Sequence, residues 1–504
     1  MSVFCWFSLY FVFFCFGAGK LSRKVLKMLN KSVWAECKKE YPKLNKDIRR
    51  DIVVVGGGIA GFLTAFKLAE EGKSVTLVEA GRLFGGTTGK TTAKITANQG
   101  NIYQELYLRY GKEAARQYFR AQSDGMSGFA DLIEKYGIDC DFTRTDGIIF
   151  SRCGGERLKS TCRLLKEFGA DCEIVGEVAP VKSVCALKMS GQYLFDPIKF
   201  LSALPVNFEI FENTRVTEID AKNKILYCGN KIYANTVVIA THFPIIDKYG
   251  GYIFKLRQSL SYTIAVKEKV TDKMFLDEEQ DGLSVRPYAN GTLFGGFDHR
   301  TGRVKRVGSF ARLINKSALY GGKAVTHCWA AADVMTFDGM PYAGAYSKKL
   351  HKVYVITGFN KWGMTNAMVC AEIIRDAICG KENEYARMFS PQRKIKACFK
   401  SALSNILTNF GNITAAYLPF TVKTVKNIPV GTGAVVRYKG KKRAVYRDEN
   451  GRLYAIGRMC PHMHGQLKWN ADTMTWDCPC HGSRFDIYGN IISEPSVKCC
   501  KHKI

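Results

Sequence analysis

The stretch DIVVVGGGIAGFLTAFKLAEEGKSVTLVEA, residues 51–80, restricts the fold more than any other part of the chain. Ile52–Val55 and Val75–Val78 are short apolar runs rich in β-branched residues, which is typical of buried parallel strands. Between them, Leu63 and Phe66 recur with helical spacing. A strand, a helix and a second strand in this order predict a β–α–β unit, and therefore a chain of the α/β class.

The turn between the first strand and the helix contains three glycines in the order G-x-G-x-x-G. Gly56 permits the tight turn, Gly58 lets a pyrophosphate approach the backbone, and Gly61 lets the helix pack on the strand. The helix N-terminus offers amide hydrogens to phosphates, and Glu79 is placed to accept hydrogen bonds from ribose hydroxyls. The predicted dinucleotide contacts in this unit are Gly56, Gly58, Ile59, Ala60, Gly61 and Glu79.

The composition is that of an ordinary globular protein with room for two or three domains. The chain has 504 residues, of which 46% are hydrophobic and 24% charged. Its net charge is +29, but the basic residues are spread throughout and no nucleic-acid motif accompanies them, so we expect no nucleic-acid partner. Most of the 18 cysteines fall singly inside apolar runs, which indicates buried reduced thiols in a cytoplasmic protein.

Residues 1–50 form an extension ahead of the β–α–β unit. Residues 3–19 carry no charge over 17 positions, which is at the short limit for a membrane span. Residues 20–50 contain eleven Lys or Arg against three Asp or Glu, so insertion of the apolar run would keep the body of the protein cytoplasmic. The alternative, which we favour, is that synthesis begins at Met28. We expect a cytoplasmic protein in both cases, with membrane association only if residues 3–19 are retained.

A group of possible metal ligands lies near the other end of the chain, in CPHMHGQLKWNADTMTWDCPCHGSRF, residues 460–485. Cys460-x-His462 is followed after 15 residues by Cys478-x-x-His481. A structural Cys2His2 zinc site is one interpretation, but zinc fingers usually pair like ligands with like. Here each pair combines one Cys with one His. This favours a [2Fe–2S] cluster with two thiolates on one iron and two imidazoles on the other, the Rieske arrangement.

Several segments between these two motifs resemble FAD enzymes of the D-amino-acid-oxidase and glycine-oxidase family. In order along the chain they are GRLFGGTTGKTTAK, NTRVTEID with YANTVVIATHFP, HCWAAADVMTFDGMPYAG, and VYVITGFNKWGMTNAMVCAEIIRDAI. The resemblance implies that the dinucleotide is FAD, that Val216 flanks its adenine, and that a helix opened by Gly363 and Met364 points at the flavin. The further FAD contacts that it implies are Thr87, Thr88, Thr91, Thr92, Val216, Thr241, Gly358, Gly363, Met364 and Thr365.

The same resemblance implies a Rossmann-like FAD domain with an inserted, mainly β substrate domain. Together these occupy residues 51–390, and a small all-β domain ends the chain, because GAVVRYKGKKRAVYRDENGRLYAIG alternates like short strands. The expected boundaries are about 51–99, 205–249 and 325–390 for the FAD domain, 100–204 and 250–324 for the substrate domain, 391–420 for a helical connector and 421–504 for the C-terminal domain.

The stretch GLSVRPYANGTLFGGFDHRTG reads as a β-hairpin with a turn at Asn290–Gly291. Glycine-oxidase-like enzymes place an arginine on such a sheet against the substrate carboxylate, and Arg286 is the candidate, since a guanidinium matches a carboxylate. The alternative is an outward-facing arginine on an amphipathic strand. No convincing catalytic acid or base is found. Cys328 lies where some relatives attach flavin covalently, so a covalent link is kept as an alternative.

The C-terminal motif resembles the Rieske signature beyond its four ligands, through CPCHGSRFD. Two departures separate it from the Rieske proteins of respiratory complexes. Those proteins carry a cysteine where Gly465 stands, bridged to the residue that corresponds to Cys480, and a tyrosine where Phe485 stands, whereas Ser483 is retained. Because fewer hydrogen bonds to sulfur favour the oxidised cluster, we expect a potential in the lower part of the Rieske range of about −150 to +300 mV.

Taken together, the order of motifs resembles FAD-dependent oxidoreductases with a fused Rieske domain. The expected function is removal of a hydride from a small amine or amino-acid-like substrate by FAD, with electrons exchanged one at a time through the cluster with a redox partner protein. Two alternatives stay open. One is a plain amine oxidase whose C-terminal domain only docks or stabilises, although docking would not need the four ligands. The other is a non-enzymatic electron-transfer or redox-sensing protein.

Overall fold

The computed structural model describes residues 31–246, 248–279, 282–289, 291–303, 308–394 and 424–501. The predictions for residues 3–19, for Met28, for most of the connector and for Asn290 concern residues outside these ranges. Within them, no helix combines the length and the apolar composition that a membrane crossing requires.

The strands of the described residues fall into four sheets. In chain order they are β1 (Ile48–Val55), β2 (Val75–Val78), β3 (Lys94–Ile95), β4 (Thr143–Ser151), β5 (Cys172–Val175), β6 (Cys185–Leu194), β7 (Glu209–Phe211), β8 (Glu218–Asp220), β9 (Ile225–Tyr227), β10 (Lys231–Ile239), β11 (Leu256–Val266), β12 (Met274–Asp277), β13 (Leu283–Tyr288), β14 (Gly291–Arg300), β15 (Val325–Thr336), β16 (Tyr342–Ala345), β17 (Val353–Thr357), β18 (Thr432–Tyr438), β19 (Lys441–Arg447), β20 (Leu453–Ile456), β21 (Lys468–Asn470), β22 (Thr475–Asp477), β23 (Arg484–Phe485) and β24 (Ile491–Ser493).

Helices cover the first two sheets and connect their strands. The described α-helices are α1 (Ile59–Glu70), α2 (Ile102–Tyr110), α3 (Lys112–Tyr136), α4 (Glu156–Glu167), α5 (Pro197–Ala203), α6 (Tyr252–Lys255), α7 (Ser309–Ala318), α8 (Gly363–Cys379) and α9 (Ala386–Phe389). Short 3-10 helices span Thr88–Lys90 and Val425–Asn427.

The first sheet contains the predicted β–α–β unit. Its strands β17, β10, β1, β2 and β7 are neighbours in that order and run parallel. They come from three separated parts of the chain, and β16 adds an antiparallel edge. Every residue of β2 is buried, and so is each residue of α1 from Ile59 to Leu68. The helix is buried because α1 and α8 pack against each other on this sheet.

The second sheet is almost entirely antiparallel. Its strands follow the order β15, β11, β14, β13, β12, β4, β6 and β3, with β5 paired to β6, and only β12 and β4 run parallel. β13 and β14 form the predicted hairpin, in which Arg286 pairs with Leu293. The sheet shares a hydrophobic core with α7, which contributes Phe310 and Leu313.

The C-terminal domain consists of two small antiparallel sheets, β18–β19–β20 and β21–β22–β23–β24. Its core combines Trp476 and Phe485 with the buried cysteines Cys460 and Cys478. The predicted fold class is therefore confirmed: a mixed α/β unit is followed by a small all-β domain.

Candidate functional site

A cavity of about 600 Å³ lies at the carboxyl ends of the parallel strands. Val55, Val78 and Ala240, at the ends of β1, β2 and β10, contribute to its wall, and the opposite wall comes from the second sheet. In open α/β sheets ligands bind in the crevice outside the carboxyl ends of the strands. The cavity is therefore in the position expected for the dinucleotide.

Two glycines of the turn after β1 are required by close backbone packing. Gly56 has φ +111°, and a Cβ there would lie 2.4 Å from the carbonyl oxygen of Ala240. A Cβ at Gly61 would lie 1.9 Å from the carbonyl oxygen of Gly56. The turn thus keeps the N-terminus of α1 close to β1, and Gly58, Ile59 and Ala60 line the cavity, where a helix N-terminus would hold a pyrophosphate.

Glu79 lies at the end of β2 and lines the same cavity. Its carboxylate accepts hydrogen bonds from the backbone nitrogens of Gly57 and Gly81, both at 2.7 Å. Burial raises the pKa of Glu79, although these backbone hydrogen bonds oppose the rise. Thr88 supports the turn from the other side, because its hydroxyl accepts a hydrogen bond from the backbone nitrogen of Ile59 at 2.9 Å.

Most of the predicted FAD contacts meet at this cavity, although they come from five separate segments of the sequence. Gly61 and Thr365 are not among the residues that line it, and the Thr365 hydroxyl donates to Gln122 at 2.7 Å instead. The predicted contacts in the cavity wall are Gly56, Gly58, Ile59, Ala60, Glu79, Thr87, Thr88, Thr91, Thr92, Val216, Thr241, Gly358, Gly363 and Met364. The glycine cradle, the N-terminus of α1 and the buried acid fit FAD.

Arg286 lies beside the cavity but is not among the residues that line it, whereas Ser284 is. One terminal nitrogen of its guanidinium donates to the carbonyl oxygens of Thr92 and Ala93 at 2.8 and 2.6 Å. The side chain is 4% exposed, and burial lowers its pKa to about 9. This placement ties two strands together and does not support the predicted contact with a substrate carboxylate.

Other polar side chains of the cavity wall were missed in the sequence. Lys94 donates to the Ser284 hydroxyl at 2.7 Å, and burial lowers the pKa of Lys94 to about 7. Burial raises the pKa of Asp333 to about 6, and the charges of Lys361 and Asp298 also act on this carboxyl. Lys361 and Asp298 form an ion pair at 2.8 Å. The sequence feature that could have indicated Asp333 is its position as an acidic residue inside the otherwise apolar strand WAAADVM.

Cys328 does not line the cavity. It is fully buried in the core of the second sheet. Burial raises the pKa of its thiol to about 12, so the thiolate that a covalent flavin link requires is disfavoured. The placement therefore gives no support to covalent attachment at Cys328.

The four predicted cluster ligands lie on two loops of the C-terminal domain, which bring the two cysteines together and the two histidines together. In the first loop the backbone nitrogen of Cys460 donates to Gly465 at 2.9 Å, and in the second the backbone nitrogen of Cys478 donates to Ser483 at 2.8 Å. The rings of His462 and His481 are 5.1 Å apart between centroids. The Cys460 and Cys478 thiols are hydrogen-bonded, and this bond lowers the pKa of Cys478 well below its usual value.

This geometry fits a two-iron cluster better than a zinc ion. In the part of the chain that the structure describes, no three His, Cys, Asp or Glu side chains converge as ligands of one ion do. A zinc site needs four ligands about 2.0–2.3 Å from one point. A Rieske cluster instead needs a pair of thiolates on one iron and a pair of imidazoles on the other. In the structure Cys460 lies beside Cys478 and His462 lies beside His481.

Both ligand loops pack against the first two sheets of the chain. In the first loop, Met463 packs against the hydrophobic core that contains Phe243. The ring of His481 lies 6.3 Å from that of Phe243, which follows β10 by four residues. Arg300, at the end of β14, donates to the carbonyl oxygen of Cys480 at 3.1 Å. A Cβ at Gly302 would lie 2.7 Å from the carbonyl carbon of Cys478. The cluster site therefore faces the flavin cavity side of the molecule.

Comparison with known proteins agrees with this architecture. Residues 51–377 match the family model of FAD dependent oxidoreductases of the DAO type, and residues 419–502 match that of the Rieske [2Fe-2S] domain. The putative Rieske 2Fe-2S iron-sulfur protein YhfW of Bacillus subtilis (strain 168) is 29% identical over 92% of this chain and 94% of its own length. The gamma-glutamylputrescine oxidoreductase of Escherichia coli (strain K12) is 21% identical over 68% of this chain and 86% of its own length.

Solved structures show the same fold for the first part of the chain. Glycine oxidase from Geobacillus kaustophilus is similar with a TM-score of 0.59 and 19% identity, covering 69% of this chain and 99% of that chain. L-proline dehydrogenase from P. horikoshii is similar with a TM-score of 0.58 and 20% identity, covering 69% and 97%. The resemblance seen in the sequence is thereby confirmed: the chain belongs to the FAD-dependent oxidoreductase family and carries a C-terminal Rieske [2Fe–2S] domain.

Proposed function

We propose that this oxidoreductase removes a hydride from a small amine or amino-acid-like substrate and exchanges electrons one at a time, through its Rieske cluster, with a redox partner protein. The packing of both ligand loops against the FAD-binding part carries this proposal. Met463 of the first loop packs against the core around Phe243, and Phe243 and Arg300 contact the second loop, so the two redox sites share one interface. A C-terminal domain that served only for docking would not need four cluster ligands.

The substrate class is inferred from the cavity and from the relatives. Gamma-glutamylputrescine oxidoreductase and glycine oxidase are names of relatives that point to amine and amino-acid substrates. The cavity offers a carboxylate at Asp333 and an ammonium at Lys361 beside Asp298. Opposite charges in one cavity suit the ammonium of an amine and the carboxylate of an amino acid.

The chain's own side chains also supply a route for the substrate's proton. FAD, when bound, supplies a two-electron acceptor that can release electrons singly. An amine must lose a proton before it can give up a hydride. Asp333 and Lys94 line the cavity with pKa values of about 6 and about 7, so each can hold a proton near neutral pH. We propose that one of these two groups accepts the proton that the substrate loses.

The partner is inferred from charge and exposure. Of the two imidazole ligands, His481 is buried at 3% exposure, whereas His462 is only partly buried. The side of His462 is thus the accessible edge of the cluster site. With a net charge of +29, the chain attracts a redox protein with an acidic surface. No disulfide joins any of the 15 described cysteines, which supports a cytoplasmic location.

The test is anaerobic reduction with a panel of amines and amino acids, with flavin absorbance and the EPR signal of the reduced cluster followed together. A substrate that bleaches the flavin and then produces the cluster signal supports the proposal. Flavin reduction with a cluster that stays oxidised would identify a plain oxidase. Cluster reduction by added reductants without turnover of any amine would identify an electron-transfer protein. Cys460→Ser, which removes a cluster ligand, is the control and should keep flavin reduction while losing the EPR signal.

A further inference from the structure

The wall of the flavin cavity is not built by the FAD-binding part alone. Arg484, Ile492, Ser493, Glu494 and Val497 of the C-terminal domain also line it. These residues belong to β23, to β24 and to the turn that follows β24. The C-terminal domain therefore reaches the cavity with a segment other than the two cluster loops.

Glu494 lies among the groups predicted to hold the dinucleotide. The charges of Arg215, Glu79 and Lys90 all act on its carboxyl, and burial raises its pKa. Arg215 precedes Val216, the predicted adenine contact, and Lys90 lies between Thr88 and Thr91, two of the predicted FAD contacts. The segment is held in place because Gln258 of β11 donates to the carbonyl oxygen of Glu494 at 2.7 Å.

Lys90, which also lines the cavity, lies close to charged groups of the C-terminal domain. Burial lowers the pKa of Lys90 to about 8, and Arg484 and Glu494 are the charged groups that act on it. Both of these residues belong to the C-terminal domain. Lys90, Arg484 and Glu494 all line the cavity, so the C-terminal domain approaches Lys90 at the cavity wall.

Buried hydrogen bonds and close backbone packing join the two parts of the chain around this cavity. Asp472 accepts hydrogen bonds from the backbone nitrogens of Gly308 and Ser309, both at 3.0 Å. Asn470 donates to the Tyr262 hydroxyl at 3.3 Å, and Tyr262 lines the cavity. At Gly302 an added Cβ would lie 2.5 Å from the backbone nitrogen of Pro479.

We propose that the C-terminal domain forms one wall of the FAD site, so that binding of FAD and docking of this domain stabilise each other. A ligand that contacts both parts binds only the docked arrangement tightly. By linkage, anything that weakens docking weakens FAD binding by the same factor. The C-terminal domain thus has a second role besides holding the cluster: it helps to retain the flavin. This inference rests on FAD binding and is independent of the proposed substrate.

The direct test uses the unaltered full-length protein, with hydrogen–deuterium exchange compared before and after FAD is added to the FAD-free form. We expect slower exchange in peptides that cover residues 56–61 and also in peptides that cover residues 491–497. Protection of residues 56–61 without any change at 491–497 would overturn the proposal, because FAD would then be held by the first part alone. Failure of the substrate panel described above would leave this result unaffected.

A pair of glycine variants provides a second test. Gly302→Ala places a methyl group against the backbone of Pro479, whereas Gly440→Ala meets no atom within 4 Å. The two glycines have nearly equal φ angles, +72° and +74°, so the backbone strain of the substitution is matched. FAD affinity is measured by the recovery of free flavin fluorescence on dilution.

We expect the Kd for FAD to rise at least tenfold in Gly302→Ala and to change less than twofold in Gly440→Ala. Equal effects in both variants, or none in Gly302→Ala, would overturn the proposal. Should Gly302→Ala fail to fold, Asp472→Ala takes its place, since it removes a docking contact without adding an atom. Iron content and circular dichroism confirm that each variant retains its cluster and its fold.

Discussion

Asp472 of the C-terminal domain accepts a hydrogen bond from the backbone nitrogen of Ser309 at 3.0 Å, and thereby caps a helix of the preceding part of the chain. Ser309 is the first residue of α7. A carboxylate at a helix N-terminus satisfies amides that have no partner inside the helix and interacts favourably with the helix dipole. Here that carboxylate is 163 residues away in sequence from Ser309, so the cap exists only when the two parts are docked.

Replacement of Asp472 by alanine should therefore destabilise the protein. We expect a loss of about 1–2 kcal/mol, because the amides of Gly308 and Ser309 are buried and would lose their acceptor. Urea unfolding followed by circular dichroism measures the change. Asp486→Ala is the matched control, since its carboxylate accepts only from Tyr488 and Asn490 within the C-terminal domain. Equal losses of FAD affinity in the two variants would contradict a docking role for Asp472.

Gly465 occupies a position from which a cysteine could reach Cys480. A Cβ at residue 465 would lie 3.6 Å from the Cβ of Cys480, within the range of about 3.5–4.5 Å found in disulfides. Gly465→Cys should therefore form a disulfide with Cys480 under oxidising conditions. Intact mass would show the loss of two hydrogen atoms, and thiol titration of the denatured protein would show one thiol fewer than in the wild-type protein. One additional reactive thiol would instead show that the loops are farther apart, and Gly465→Ala controls for crowding alone.

Ser483 lies between the second ligand pair and the end of the domain, and it is fully buried. Its hydroxyl oxygen accepts a hydrogen bond from the backbone nitrogen of Ser496 at 3.0 Å, which leaves the hydroxyl hydrogen to be donated to the cluster. A hydrogen bond to a charged group contributes about 1.5–3 kcal/mol, and about 1.4 kcal/mol shifts a one-electron couple by about 59 mV. Ser483→Ala should therefore lower the cluster potential by roughly 60–130 mV in an EPR-monitored titration.

A substitution at Phe485, two residues after Ser483, is expected to change the cluster potential in the opposite direction. It is fully buried and packs in the same core as Cys460 and Cys478. A hydroxyl added to this ring can donate to a ligand sulfur, which favours the reduced cluster. Phe485→Tyr should raise the potential measured in the same titration. A wild-type potential near the top of the range of about −150 to +300 mV would contradict the view that this cluster receives fewer hydrogen bonds than those of the respiratory Rieske proteins.

Asp333 should make the stability of the FAD-free protein depend on pH. Burial raises its pKa from 3.8 to about 6, so the folded state binds more protons than the unfolded state between these two values. Stability then falls as the pH rises from about 4 to 6, and the full cost of the buried charge remains above pH 6. With water in the cavity we expect this cost to be about 1–3 kcal/mol.

Asp333→Asn removes the charge and keeps the shape of the side chain. The variant should be more stable than the wild-type protein at pH 8, and the difference should disappear toward pH 4, as measured by urea unfolding at each pH. A difference that is constant over this range would show that the carboxyl titrates normally. If Asp333 also accepts the substrate proton, the same variant should lose the dependence of flavin reduction on an ionisation near pH 6.

Local patterns in the sequence were sufficient for the backbone of both redox sites. Val75–Val78 is a strand as predicted, Gly363 begins a helix as predicted, and the loops of Cys460 and Cys478 meet. These features depend on residues within a few positions of one another, such as alternating β-branched residues, glycines at a tight turn and ligands at fixed spacing. Their physical causes are local, so the sequence by itself determined them.

The walls of the flavin cavity were decided only by the tertiary structure. Strand alternation shows that Ser284 and Arg286 share a face of β13, but it does not show that carbonyl groups of a distant segment engage the guanidinium while Ser284 faces the cavity. Asp333 and Glu494 likewise gain their roles from burial beside residues far away in sequence. The burial of a side chain and the charges that act on it depend on every segment packed around it. At this cavity those segments include parts of the C-terminal domain, which are brought there only by docking against the first part of the chain.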